Sequence, residues 1–123
     1  LIQQLTPVFQ RYYQQISGGK EEVELVYHSQ LENGDFAGQL KQAYKEDSRR
    51  LFSTVGIHKD DLVFKLSGGQ IKKFGSQGQQ KSYLIALKLA QLEFLKSTVG
   101  INPILLLDDV FDKLDEERVS HIL

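Results

Sequence analysis

The sequence contains no cysteine and no methionine. The absence of cysteine excludes disulfides, thiolate zinc sites and cysteine nucleophiles, and it is typical of proteins from a reducing cytoplasm. Because there is no methionine, Leu1 is not a translational start, and no charged segment followed by an apolar one opens the chain. We therefore expect the chain to be a piece of a longer cytoplasmic protein.

The sequence also lacks a long hydrophobic run and an excess of charge of either sign. Its longest aliphatic run, residues 104–107, is far shorter than the roughly 18 residues of a membrane-spanning helix, so we expect no membrane contact. Fifteen Lys and Arg residues against sixteen Asp and Glu residues give a net charge of −1, so any contact with DNA has to be local. With 41% hydrophobic and 25% charged residues, the composition is that of a folded domain.

Local patterns predict a mixed α/β fold that begins with a helix and a strand. Thr6 and Pro7 suit the N-cap and the first position of a helix that ends at Ser17-Gly18-Gly19. Residues 22–27 combine β-branched residues with partial alternation, which predicts a strand ending near His28.

The next segments predict a helix and a β-hairpin. From Asp35, a stripe of apolar residues extends to Val55, which indicates an amphipathic helix closed by Gly56. Residues 62–66 and 70–74 indicate two short strands around a Gly-rich turn. We assign residues 1–74 to a lobe made of helices and this hairpin.

Residues 75–123 are expected to form the second part of the chain. Residues 79–96 contain no Gly or Pro and are rich in Leu, Ala, Lys and Gln, which predicts a long helix. The aliphatic residues 104–107 predict a buried strand of a parallel sheet, with acids at its carboxyl end. Glu116 begins another predicted helix.

Two acids, Asp108 and Asp109, follow the aliphatic run directly. This arrangement is typical of a Walker B site, where one carboxylate reaches Mg²⁺ and its neighbour orients a water molecule. Acids that merely cap the next helix would give the same pattern, and these residues alone leave both interpretations open.

Two Gly-rich segments compete for a phosphate-binding role. Residues 66–70 read LSGGQ, letter for letter the signature string of ABC-type ATPases. A signature loop needs a helix directly behind it, so that free amides and the positive end of the helix dipole face the anion, whereas a strand pattern comes directly after this one. Ser76 and Gly78 directly precede the long helix, and we favour them as hydroxyl donor and close-approach glycine. Simple N-capping by Ser76 is the alternative.

Three blocks of residues carry a family resemblance. They read GIHKDDL at 56–62, GSQGQQKS at 75–82 and LLLDDVFDKLD at 105–115. In this order they resemble the C-terminal part of the RecF family, bacterial DNA replication and repair ATPases related to the SMC and Rad50 proteins. The first block departs from the family's GPHRDDL at Ile57 and Lys59. The resemblance implies the C-terminal part of an ABC-type ATPase head, in which residues 75–123 hold the signature helix, the Walker B strand and the D-loop.

The resemblance also implies roles for individual residues. It makes Asp108 the Walker B ligand of Mg²⁺, through water, and Asp109 the acid that polarises the attacking water. Asp115 matches the D-loop acid that crosses a dimer interface, with helix N-capping as the alternative. The implied contacts to ATP held by a second protomer are Ser76, Gln77, Gly78, Gln79, Gln80 and Asp115.

The function implied by the resemblance is that of a weak ATPase which dimerises through ATP and binds gapped, single- or double-stranded DNA. The RecR and RecO mediators, loading of a recombinase and the SOS response belong to the same expectation. The sequence has no Walker A loop, so this chain alone is expected to be inactive. The alternatives are the ATP-binding subunit of a transporter that uses residues 66–70, and a non-catalytic DNA-clamp or protein-interaction module.

Histidines and surface cations add little to this expectation. His121 falls within the last predicted helix as a surface or packing residue. His58 is interpreted as a satisfied polar residue beside Asp60 and Asp61, with support of the interface or contact with DNA as the alternative. No pair of histidines has metal-ligand spacing, so Mg²⁺ with nucleotide is the only metal implied. The candidate phosphate contacts, which a solvated face would explain equally well, are Arg49, Arg50, Lys72, Lys73, Lys81, Lys88 and Lys96.

Overall fold

A computed structural model describes residues 1–106, 108, 112, 114 and 116–122 of the chain. Helices and a small sheet alternate along it, in agreement with the predicted mixed α/β class. The elements are α1 (Ile2–Ser17), β1 (Val23–His28), α2 (Phe36–Arg50), β2 (Asp61–Leu66), β3 (Gly69–Gln70), α3 (Ile71–Phe74), α4 (Gln77–Val99) and α5 (Glu116–Ile122), with 3₁₀ turns at Gln30–Asn33 and Ile57–Lys59.

The chain divides into two compact units, Leu1–Leu25 with Phe64–Leu123, and Val26–Val63. The sequence-based division into residues 1–74 and 75–123 separates the predicted lobe from the predicted ATPase motifs, and it stays a prediction. Within the described part of the chain, no helix combines the length and the apolarity that crossing a membrane requires.

The core of the first unit forms where α1 packs along α4. Apolar residues of α1 recur at helical spacing and are buried, namely Leu5, Phe9, Tyr13 and Ile16. The ring of Tyr83 on α4 meets Phe9 edge-on at 4.7 Å and Tyr13 at 5.9 Å between centroids. Ala86 and Ala90 follow on α4 with no exposed surface, and their small side chains let the two helices approach closely.

Helix α1 is continuous through Pro7, so the prediction that Thr6 caps a new helix there is wrong. The Thr6 hydroxyl instead donates to the Ile2 carbonyl at 2.8 Å. Pro7 has no N–H for the carbonyl one turn earlier. A single helix nevertheless forms because it places Leu5 on the same buried face as Phe9. The predicted stop is confirmed, since Gly18 adopts the left-handed conformation that ends many helices.

The sheet has the strand order β1-β2-β3, and β2 pairs with β3 in antiparallel fashion. Ser67 and Gly68 both have positive φ, of 46° and 82°, as a tight two-residue hairpin turn requires. The predicted hairpin turn is therefore confirmed. The predicted second strand is wrong beyond Gln70, because Ile71–Phe74 forms a helical turn that buries Ile71 and leads directly into α4.

Helix α2 begins as predicted and ends earlier than predicted. The Asp35 carboxylate caps it by accepting from the amides of Ala37 and Gly38. The helix ends at Arg50 rather than near Gly56 because Asp47 accepts hydrogen bonds from the amide and hydroxyl of Thr54, at 2.9 and 2.6 Å. These bonds hold the intervening residues as a loop.

The predicted buried strand at 104–107 is wrong for the residues that the structure describes. Ile104 and Leu106 lie in an irregular segment and are 92% and 91% exposed. Leu107 lies outside the described residues. A central strand requires partners for its backbone groups, and none of the described strands pairs with this segment.

Candidate nucleotide-binding loop

The two Gly-rich segments lead into helices of very different length. Residues 66–70 form the turn of the β2–β3 hairpin, whereas Ser76 is the N-cap of α4, a helix of 23 residues. The long helix expected directly behind Ser76 is present, whereas the strand expected behind residues 66–70 is wrong, because the four-residue helix α3 follows Gln70. Helix length and capping separate the two segments, since Gln70 makes no side-chain cap bond and Ser76 does. We call residues 75–80 the Ser76 loop.

A reciprocal pair of hydrogen bonds shapes the Ser76 loop. The Ser76 hydroxyl oxygen accepts from the Gln79 amide at 3.2 Å, and the Gln79 side-chain oxygen accepts from the Ser76 amide at 2.7 Å. This is the capping box expected of a Ser followed three residues later by Gln. N-capping is therefore real, and it leaves the hydroxyl hydrogen of Ser76 available to donate to a ligand.

The first turn of α4 presents further donors. The amides of Gln77 and Gly78 precede the first intrahelical bonds of the helix, and no acceptor among the described residues meets them. Ser76 and Gln77 are exposed to solvent. One hydroxyl and two amides at the positive end of a long helix can therefore bind an anion together.

Glycine is required at position 75. A β-carbon there would lie 2.6 Å from Ile71 Cγ1 and 2.7 Å from the Ile71 carbonyl oxygen. The Gly75 amide donates to that same carbonyl at 2.8 Å. This close approach brings the chain from α3 round to the cap of α4.

Glu21 lies beneath the Ser76 loop and was not identified from the sequence. Its two carboxylate oxygens accept from the Gln79 side-chain amide at 2.6 Å and from the Tyr13 hydroxyl at 2.5 Å. Arg118 on α5 pairs with it at 3.3 Å, and both side chains are largely buried. Burial opposes ionisation of Glu21, but the hydrogen bonds from Gln79 and Tyr13 and the charge of Arg118 outweigh it and lower the pKa.

Arg118 also reaches the Ser76 loop by a second route. Its guanidinium donates to the hydroxyl of the fully buried Ser82 at 3.0 Å. Ser82 in turn donates to the Gly78 carbonyl at 2.9 Å. No local pattern predicts these contacts, because Glu21 is 58 positions from Gln79 and 97 positions from Arg118.

The predicted acidic residues are only partly described. Asp108 is exposed in the irregular segment, and Asp109 and Asp115 lie outside the described residues. Lys81, on the first turns of α4, donates to the Asp112 carbonyl at 2.7 Å, with the Asp112 carboxylate 3.8 Å away. The acidic segment therefore contacts the helix that carries the Ser76 loop.

Several predicted DNA-contacting cations have acidic partners in the structure. Lys81 pairs with Asp112, and Arg49 and Arg50 both pair with Glu46 on α2. Lys72, Lys73, Lys88 and Lys96 are exposed, and their contact with DNA stays a prediction.

The two histidines singled out from the sequence both meet backbone carbonyls. His58 Nε2 lies 2.9 Å from the Ser53 oxygen, and His121 Nδ1 lies 3.4 Å from the Ile16 oxygen. Both histidines therefore have a polar partner, which for His58 is the Ser53 carbonyl rather than Asp60 or Asp61, and a contact of His58 with DNA or a dimer interface stays a prediction. Over the described positions, no group of three His, Asp or Glu side chains is arranged to hold a metal ion.

Comparison with known proteins identifies relatives over almost the whole chain, although no family model matches it. It is 52% identical over 122 residues to the DNA replication and repair protein RecF of Flavobacterium johnsoniae, covering 99% of this chain and 34% of that protein. The RecF of Parabacteroides distasonis is 51% identical over 123 residues, with 100% and 34% covered.

Solved structures of the recombination mediator protein RecF in the RecFOR pathway have the same fold. The complex with ATP matches with a TM-score of 0.77 and 28% identity, over 98% of this chain and 34% of that one. The complex with ATPγS matches with a TM-score of 0.78 and 28% identity, over 94% and 33%. The predicted ATPase-head fold is thus confirmed, and the chain spans about one third of the length of the relatives it matches. The 123 residues belong to the RecF family.

Proposed function

We propose that the Ser76 loop binds the γ-phosphate of ATP held by a second copy of the protein, so that ATP joins two protomers. The observation that carries this proposal is the first turn of α4, where the Ser76 hydroxyl and the amides of Gln77 and Gly78 lie together at a capped helix terminus. Three donors at the positive end of a helix suit a phosphate. The ATP complexes of related RecF proteins support nucleotide as the ligand.

The remaining residues of the loop have supporting roles in this proposal. Gln79 holds the loop in shape through its bonds to Ser76 and Glu21. Gln80 donates to the Gly75 carbonyl at 2.9 Å, which ties the start of α4 to the preceding turn. Gln77 is exposed and is the side chain of the loop that we expect to face the nucleotide.

We assign the acidic segment to hydrolysis. Asp108 would hold Mg²⁺ through water together with the phosphates, which fits a metal that commonly takes one or two carboxylates and substrate oxygens. When bound, the ion would neutralise charge that develops on the phosphates. Asp109 would polarise the attacking water, and its side chain, one methylene shorter than Glu, suits slow hydrolysis. Asp115 would cross the dimer interface.

For the whole protein we propose an ATP-dependent dimer that closes on gapped, single- or double-stranded DNA and opens after slow hydrolysis. In this proposal the protein acts in the cytoplasm with RecR and RecO to load a recombinase. It takes part in the SOS response. Family membership and the RecFOR pathway of the structural relatives support it.

The experiment compares Ser76→Arg with Ser67→Arg in the full-length protein. We expect Ser76→Arg to abolish ATP-dependent dimerisation, measured by light scattering, and retention of gapped DNA. Ser67→Arg is the matched control, because it places the same charge on the neighbouring hairpin turn. If Ser67→Arg alone abolished dimerisation, residues 66–70 would be the signature. If neither variant affected it, the loop would have only a structural role.

A further inference from the structure

We infer that Glu21 and Arg118 are positioning residues that hold the Ser76 loop in its nucleotide-binding conformation and connect it to α5. This inference rests on the proposed function of the loop. The two side chains form a largely buried ion pair beneath the loop. Glu21 accepts from Gln79 of the loop, and Arg118 donates to Ser82, which in turn donates to the Gly78 carbonyl.

The first connection runs through the side chain of Gln79. The side-chain oxygen of Gln79 accepts from the Ser76 amide, and its side-chain nitrogen donates to the Glu21 carboxylate. Glu21 therefore orients the amide group that completes the capping box. Without the negative charge of Glu21, the bond from the Gln79 side-chain amide is weaker, and the Gln79 side chain is held less firmly against Ser76.

The second connection runs through Ser82. Arg118 donates to the Ser82 hydroxyl while pairing with Glu21, and Ser82 donates to the carbonyl of Gly78. A planar guanidinium with several N–H groups can serve both acceptors at once, whereas the ammonium of lysine is a compact point charge. Arginine is therefore the residue that this bridge requires.

The consequence is a link between the acidic segment and the loop. Helix α5 follows residues 108–115 in the chain, and Arg118 lies in its first turn. Lys20 lies next to Glu21 in the segment between α1 and β1, and its exposed ion pair with Glu117 joins this segment to α5. A shift of α5 would therefore change both bonds to the loop together, and the affinity of the loop for nucleotide would follow.

The test uses the full-length protein with Arg118→Met, Arg118→Lys, Glu21→Gln and Ser76→Arg. Lys20→Gln is the matched control, because it breaks an exposed ion pair between the same two segments without touching the loop. Two quantities are measured, namely the ATP concentration for half-maximal dimerisation and the hydrogen exchange of amides 77–80 without nucleotide. Exchange of the α1 amides, which lie in the core, reports any general loss of folding.

We expect Arg118→Met and Glu21→Gln to raise the half-maximal ATP concentration about tenfold, the size expected for one charged hydrogen bond. Amides 77–80 should exchange faster in these variants while the α1 amides are unchanged. Arg118→Lys should give a smaller shift because it retains the charge, and Lys20→Gln should stay within about twofold of the wild type.

Two results would overturn the inference. If Ser76→Arg abolished dimerisation while Arg118→Met and Glu21→Gln left the ATP midpoint unchanged, the loop would bind nucleotide without these positioning residues. If Arg118→Met shifted the midpoint only together with faster exchange throughout α1, the pair would stabilise the fold in general. An unaffected Ser76→Arg protein would instead refute the proposed function itself.

Discussion

Gly75→Ala tests whether the turn before α4 depends on the close approach of the Gly75 backbone to Ile71. The backbone at Gly75, with φ −76° and ψ 136°, is open to any residue, so the added methyl group causes no backbone strain. The obstacle is space, because the β-carbon would lie 2.7 Å from the Ile71 carbonyl oxygen and 2.6 Å from Ile71 Cγ1. The Ile71 side chain can rotate, but its carbonyl belongs to the helical turn that the Gly75 amide closes.

Two effects of opposite sign set the magnitude. Replacing Gly by Ala where the backbone allows it stabilises a protein by about 0.4–1 kcal/mol, through the entropy of the unfolded chain. Forcing an extra methyl group into a filled site costs about 1–3 kcal/mol. The steric cost is the larger, so we expect Gly75→Ala to lower the free energy of unfolding by about 1–2 kcal/mol.

The assay is urea unfolding of the chain followed by circular dichroism, together with ATP-dependent dimerisation of the full-length protein. Gly69→Ala is the control, since the one tight contact of its β-carbon would be the ring of the exposed Phe74, at 3.1 Å, and that ring can move, while the Leu66 carbonyl oxygen at 3.8 Å is an ordinary contact. Equal stability and equal dimerisation of Gly75→Ala and the wild type would refute the argument. A loss in Gly69→Ala as large as in Gly75→Ala would refute it as well.

Three further predictions test the loop, the buried carboxylate and the core. Ser76→Asp retains an N-capping side chain, so melting should be nearly unchanged, while its negative charge should abolish ATP-dependent dimerisation. Normal dimerisation of this variant would mean that Ser76 only caps the helix. The lowered pKa of Glu21 means that its contribution to stability is complete above the ordinary carboxyl pKa of about 4.3 and declines as pH falls through the folded value. Urea unfolding between pH 7 and pH 3 should therefore show a weaker pH dependence for Glu21→Gln, and identical slopes would contradict this. Phe9→Ala removes a ring with no exposed surface and should cost about 3–5 kcal/mol in urea unfolding, and a cost below about 1 kcal/mol would show that α1 does not depend on this contact.

Features that depend on a few neighbouring residues were predictable from the sequence. Ser76 and Gln79 lie three positions apart and make the capping box between themselves. Gly18 ends α1, and Ser67 with Gly68 turns the hairpin, because backbone conformation at these positions depends on local sterics. The helix expected behind Ser76 is present for the same local reason, whereas the strand expected behind residues 66–70 is the helical turn α3.

The errors occurred where tertiary packing or side-chain hydrogen bonds outweighed the local pattern of apolar residues. Burial of one continuous face carries α1 through Pro7, and the bonds of Asp47 to Thr54 end α2 before its apolar stripe ends. The aliphatic residues at 104–106 have a strand-like sequence, yet no described strand pairs with them. A pattern of apolar residues predicts that a segment will be buried where the fold allows it. Which segments pack against it, and whether any does, depends on the rest of the fold.

The candidate site also has a part that was predictable from the sequence and a part that was not. The sequence by itself determined the donors of the Ser76 loop, because capping and the first free amides are properties of one helix terminus. Only the tertiary structure decided that Glu21 and Arg118 lie beneath that loop, since they come from segments 97 positions apart. Local chemistry is encoded by neighbouring residues, whereas a buried ion pair forms only when packing removes both charges from water at one place.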